Sequence, residues 1–136
     1  MNIQELATIK LNNIPVKVIV LNNEYLGMVR QWQGMFFDKR YSCVNMKVPS
    51  KERAENGNLD KKELGAYIPD FIKLAEAYGI PAKRVTKPSE VKDAIKWANE
   101  IEGAVFLEFM IDPDENVLPM IPAGQAVTAM IKDRAE

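Results

Sequence analysis

Six residues, Val16-Lys17-Val18-Ile19-Val20-Leu21, constrain the fold of this chain more than any others. They are short, β-branched and almost wholly apolar, the pattern of a strand buried on both faces of a parallel sheet. Asn22-Asn23 ends the run with a turn signal. Helical patterns lie on either side. Upstream, Asn2 is a candidate cap with Glu5 three positions on, a capping-box-like pair, and Pro15 closes the segment. Downstream, residues 27–37 carry Met28, Val29, Trp32, Met35 and Phe36 at helical spacing, giving a broad apolar face.

Residues 46–68 break this rhythm. The stretch is dense in charge, has no sustained apolar period, and is expected to be a flexible excursion. Periodicity resumes with Phe71, Leu74, Ala75 and Tyr78 on one helical face, and Gly79 supplies a stop. A strand follows at 82–85. Ser89 is the expected cap of a helix whose stripe is Val91, Ala94, Ile95, Ala98 and Ile101. Residues 104–111 form the most apolar strand, interrupted only by Glu108, and the tail after Gly124 is expected to be irregular or weakly helical. Alternation of this kind predicts a three-layer α/β/α fold with a mostly parallel sheet, spanning residues 1–136. The chain opens on a helix where such domains open on a strand.

Composition narrows the chemistry. Eighteen Lys and Arg against nineteen Asp and Glu leave a formal charge of −1, which offers no pull toward nucleic acid or an anionic membrane. No apolar run approaches the length of a membrane span or secretory signal, so a cytoplasmic location is expected. Histidine is absent, which removes a Ser-His-Asp triad, a His-ligated zinc and a histidine base. The single cysteine, Cys43, rules out an internal disulfide and is expected to be a small buried hydrophobe. An enzyme of this composition must draw its chemistry from a cofactor, from carboxylates or from another chain.

In open α/β sheets ligands bind beyond the carboxyl ends of the strands. The first strand delivers Asn22-Asn23-Glu24-Tyr25-Leu26-Gly27 to that edge. An asparagine carbonyl is a hard, neutral oxygen suited to Mg²⁺ shared with a diphosphate, and Gly27 permits a close turn into a helix N-terminus. By itself this is also the signature of a plain strand-to-helix turn. The residues around it are more specific. Asn2-Ile3-Gln4-Glu5-Leu6-Ala7-Thr8, Leu21-Asn22-Asn23, Gly27-Met28-Val29-Arg30-Gln31-Trp32-Gln33, Arg40-Tyr41-Ser42, Pro69-Asp70-Phe71 and Val117-Leu118-Pro119-Met120-Ile121-Pro122 occur in order. This series resembles the diphosphate-binding domain of thiamine-diphosphate enzymes, and among them the catalytic subunit of acetohydroxyacid (acetolactate) synthases.

That resemblance implies a C-terminal thiamine-diphosphate-binding domain. It implies Mg²⁺ held by the side chain of Asn23 and the main-chain carbonyl of Tyr25. Leu26, Gly27 and Met28 would pack against the cofactor, and Trp32 would line the site of the second 2-ketoacid. It further implies an enzyme that decarboxylates pyruvate and joins the two-carbon unit to another ketoacid, working with the remaining domains of its subunit as a homo-oligomer, with a small regulatory subunit as a further partner. FAD, where the intact enzyme uses it, belongs elsewhere in the subunit. The family's Gly-Asp-Gly segment and first strand have no counterpart here, so the expected fold is one truncated at its N-terminus, with 46–68 as an insertion. The activating glutamate of the family belongs to another domain, so no catalytic residue is expected in this chain and neither Glu5 nor Glu24 takes that role. The isolated chain is therefore expected to be inactive. Two alternatives stand beside this one: another thiamine-diphosphate decarboxylase or carboligase, and a non-catalytic domain that self-associates through an open sheet edge.

Overall fold

The structure, a computed structural model, describes residues 2–46 and 68–132, so the expected 46–68 insertion lies almost wholly outside the described residues. In chain order the elements are α1 (Glu5–Leu11), β1 (Lys17–Asn22), α2 (Gly27–Phe36), α3 (Phe71–Ala77), β2 (Ala82–Val85), α4 (Val91–Glu100) and β3 (Val105–Met110). Single 3₁₀ turns occur at Pro88–Glu90 and Val127–Ala129. The chain divides into two compact units, Met1–Asn23 with Ile68–Ile111, and Glu24–Tyr67 with Asp112–Glu136.

The first unit is built on a parallel sheet of three strands in the order β1-β3-β2. The connection from β1 to β2 crosses β3 in one direction, and that from β2 to β3 returns. Right-handed crossovers running in opposite directions place their helices on opposite faces. Accordingly, Leu6 of α1 and Ala75 of α3 pack with Phe106, Val18 and Val20 on one face. Ala94 and Ala98 of α4 pack with Val85, Val105 and Leu107 on the other. The three layers expected from the alternation are present.

Five local expectations are corrected. β1 is not buried on both faces. It lies at the edge of the three-stranded sheet, its Ile19 and Leu21 are 55% and 66% exposed, and α4 covers β2 and β3 instead. Asn2 does not cap α1: the helix begins at Glu5, Gln4 precedes it without a side-chain cap, and Asn2 contributes only its main-chain carbonyl to the Glu5 N–H. α1 also ends before Pro15, because Asn13 adopts φ 49°, a left-handed conformation that asparagine tolerates. Ser89 is no cap either. Glu90 Oε2 accepts from the Thr86 and Lys87 N–H groups at 3.2 Å, closing the 3₁₀ turn ahead of α4. On α4 the stripe takes in Trp97, while Ile95 faces outward.

α3 starts where Asp70 caps it. The carboxylate Oδ1 accepts from Ile72 N at 3.1 Å and Lys73 N at 3.4 Å. Gly79 ends the following turn at φ 67°, a conformation that favours glycine.

In the second unit α2 is the only regular helix among the described residues. Antiparallel bridges join Tyr25 to Asn45 and Met120 to Ile131. Val44 is buried, whereas Cys43 is exposed, in contrast to the buried thiol expected from composition. It lies in a loop turn with φ 55°.

Candidate cofactor-binding corner

Asn22 and Asn23 close β1 at the carboxyl edge of the sheet, the edge at which open α/β sheets bind ligands. Asn22 is buried, its carbonyl accepts the Ile111 N–H at 3.0 Å, and its Nδ2 donates to Glu108 Oε1 at 2.6 Å. Asn23 follows, half-buried. Glu24, the first residue of the second unit, has φ 59°. A non-glycine residue in that region is uncommon and marks a turn that the surroundings hold in place.

Tyr25 pairs with Asn45, and the hydrogen bonds of this bridge are made by its neighbours. Leu26 N donates to Val44 O at 2.9 Å, and Met46 N donates to Glu24 O at 3.0 Å. The bridge therefore does not draw on the Tyr25 carbonyl. Leu26 occupies the position before α2 and makes no side-chain cap, Gly27 is the first helical residue, and no acidic residue lies in the first turn. Such an uncapped helix start is electrostatically suited to an anion. The donor chemistry fits the group implied by the sequence: an amide carbonyl and a main-chain carbonyl are hard, neutral oxygens of the kind Mg²⁺ takes alongside diphosphate and water.

The apolar face of α2 is open: Met28 is 58% exposed, Trp32 40%, and Val29 and Phe36 are exposed too. Met28, Trp32 and Phe36 stand at four-residue intervals and so form one stripe. The Trp32 and Phe36 rings meet edge to face with centroids 6.0 Å apart. The buried residue of the helix is Gln31, 5% exposed. Its Oε1 accepts from Val117 N at 2.9 Å while its Nε2 donates to Val117 O at 3.1 Å, so the amide pairs with that residue as a strand would. Gln33 does the same for Ser42, accepting from its N–H and donating to its carbonyl, both at 3.1 Å.

Arg30 is partly buried. Its guanidinium lies 5.1 Å from the Tyr25 ring centroid and 4.7 Å from that of Tyr41, donates to Pro113 O at 2.9 Å, and pairs with Asp114. Three polar residues of the Arg30-Gln31-Trp32-Gln33 motif thus clamp flanking loops, and Trp32 alone points outward. Sequence reasoning missed the clamps. The available signal was the irregular stretches after α2 and after β3, whose main-chain groups need partners.

A second polar group was also missed. Glu108, read only as an interruption of an apolar strand, is 1% exposed. Arg84 Nε donates to its Oε2 at 2.6 Å, and Arg84 Nη2 reaches Asp70 Oδ1 at 3.0 Å. The hydrogen bond from Glu108, against partial burial, raises the Arg84 pKa together with the charges of Glu108 and Asp70. For Asp70, desolvation acts upward but is outweighed by the Lys73 and Ile72 N–H groups and the charges of Arg84 and Lys73, leaving the carboxyl below its ordinary value. A charged residue inside an apolar strand demands partners wherever it is buried, and that was its legible signal.

The family described as "Thiamine pyrophosphate enzyme, C-terminal TPP binding domain" matches residues 1–109. The chain belongs to this family. It is 44% identical over 133 residues, 98% of its length, to acetolactate synthase 1, chloroplastic, of Oryza sativa subsp. japonica. It is 42% identical over 131 residues to the probable acetolactate synthase large subunit of Methanococcus aeolicus. These matches cover only 19% and 18% of the two relatives. Among solved structures, the thiamine diphosphate-dependent 4-hydroxybenzoylformate decarboxylase of Rhodococcus jostii RHA1 shares the fold, with a TM-score of 0.60 at 22% identity over 84% of this chain and 18% of that one. The family membership bears out the resemblance seen in sequence and the parallel α/β fold expected from it.

Proposed function

We propose that this chain is the cofactor-binding part of an acetolactate synthase catalytic subunit, in which thiamine diphosphate and Mg²⁺ serve the decarboxylation of pyruvate and its joining to a second 2-ketoacid. The observation that carries this reading is the 44% identity over 98% of the chain to an acetolactate synthase. The Asn23-to-Gly27 corner and the outward stripe on α2 agree with it in chemistry.

Thiamine diphosphate supplies the carbanion chemistry when bound. The chain's own residues bind and orient. Asn23 and the Tyr25 carbonyl would hold Mg²⁺, Leu26, Gly27 and Met28 would pack against the cofactor, and the α2 start would face its diphosphate charge. Trp32, rigid and partly exposed, would form an apolar wall against the second ketoacid, where one extra methylene is worth about 1–3 kcal/mol. The remaining subunit domains, a further copy of the subunit and a small regulatory subunit are the partners this reading requires.

The test is a chimaera in which this chain replaces the aligned segment of the Oryza sativa enzyme. Acetolactate formation from pyruvate is expected in the chimaera and negligible for the isolated chain. A folded chimaera that makes none, or a clear signal from the isolated chain, would overturn the proposal.

One observation favours a second reading. Edge strand β1, with exposed Ile19 and Leu21, suits a non-catalytic domain that self-associates. Sedimentation separates the two. Stable self-association without affinity for Mg²⁺ and thiamine diphosphate supports this alternative.

A further inference from the structure

Glu108 sits in the middle strand of the sheet, in register with Val20 on β1 and Arg84 on β2. A carboxylate buried there costs folding free energy unless both oxygens are satisfied. Both are: Oε1 accepts from Asn22 Nδ2 and Oε2 from Arg84 Nε, each at 2.6 Å. The Arg84 side chain stays 40% exposed, so Glu108 bears the cost of burial, and stability gives a weak reason for placing a charge there rather than an apolar residue of similar volume. One register step away on the same face, Phe106 packs in apolar surroundings with Val18 and Ala82. The charge lies at the ligand-binding end of the sheet, and what it grips there is Asn22. Arg84 in turn is anchored to Asp70, the cap of α3. The grip on Asn22 is thereby tied to a helix and to all three strands.

We propose that Glu108 is a positioning residue which, through Asn22, fixes the end of β1 and so the presentation of the Asn23 side-chain oxygen to a diphosphate-bound divalent cation. This rests on the reading of Asn23 as a cation ligand. Residues that orient ligands from behind typically change metal affinity by about 10–100-fold when lost.

The experiment uses the ¹⁵N-labelled 136-residue chain in solution NMR. Glu108→Gln keeps the shape but turns an NH₂ toward one of the two donors that Glu108 accepts from. Asn22→Ala removes the gripped amide and leaves the Arg84 pair in place, so it serves if Glu108→Gln does not fold. Leu107→Ala is the control, because Leu107 packs on the opposite face. In Glu108→Gln the Asn22 side-chain amide protons are expected to exchange faster than in the parent. The Asn23 signals are expected to shift and broaden in both corner variants. Leu107→Ala should lower the urea midpoint and leave Asn23 unchanged. Unchanged Asn23 signals in folded Glu108→Gln or Asn22→Ala overturn the proposal. Titration with Mn²⁺ and thiamine diphosphate tests the underlying reading separately. Paramagnetic broadening at Asn23 is expected in the parent, with about 10-fold more Mn²⁺ needed in the corner variants. A parent chain without broadening at Asn23 defeats the ligand reading, whereas parent-like Mn²⁺ dependence in the variants defeats the positioning role.

Discussion

The two units of the molecule hold themselves together by opposite means. The sheet unit packs Leu107, Val105, Ile80 and Ala75 into apolar cores on its two faces and admits one buried charge, Glu108. In the α2 unit, amide and guanidinium groups of Arg30, Gln31 and Gln33 grip main-chain groups of irregular loops, while Met28, Val29, Trp32 and Phe36 stay exposed. Apolar residues in the first unit are spent on stability. In the second, hydrogen bonds organise the loops, and an apolar stripe stays exposed.

The sharpest way to break that contrast is to truncate one residue in each unit. Leu107→Ala should destabilise the chain by about 2–5 kcal/mol, the range for a buried leucine, as read from urea unfolding. Trp32→Ala should change stability by no more than about 0.5 kcal/mol, as for other exposed positions. Equal losses would show that the α2 stripe is core after all. Gln31→Ala is next in size. It strips both partners from the Val117 main chain, a loss of about 1–3 kcal/mol. Faster amide exchange at Val117, with Val105 unaffected, would place that loss in the second unit alone.

These outcomes bear on how much could be read from sequence. The strand and helix pattern was legible because period 2 and period 3.6 report burial directly, and β2 falls where its residues predicted. Edge and centre were not legible. Val18 to Leu21 has the composition of a central strand, but strand order depends on pairings between distant residues, and β3 takes the middle. For α2 the apolar period was legible and its exposure was not, since periodicity marks an apolar face without saying what covers it. The Asn23-to-Gly27 corner was visible as a motif. The link from Asn22 through Glu108 and Arg84 to Asp70 was hidden, because those residues come from separate segments.

Trp32→Leu in the chimaera should sharpen the functional half of the contrast. The preference between second ketoacids differing by one methylene is expected to shift by about 10-fold, with stability nearly unchanged. No shift would leave the stripe without a substrate role.

The smallest effect concerns acid. Asp70 has its carboxyl held below the ordinary value of 3.8. Its contribution is therefore present above that pH and is lost as pH falls through the lowered value. Asp70→Asn should flatten the stability profile below about pH 4 and leave it parallel to the parent near neutrality. A profile as steep as the parent's would mean that the α3 cap is not a source of acid sensitivity.

The cofactor corner is tested most directly by the Mg²⁺ dependence of acetolactate formation in the chimaera carrying Asn23→Ala. Loss of a cation ligand should raise the Mg²⁺ requirement by more than the roughly 10–100-fold that an outer partner costs, with the fold intact by circular dichroism. A variant that saturates with Mg²⁺ as the parent does would contradict the assignment of Asn23.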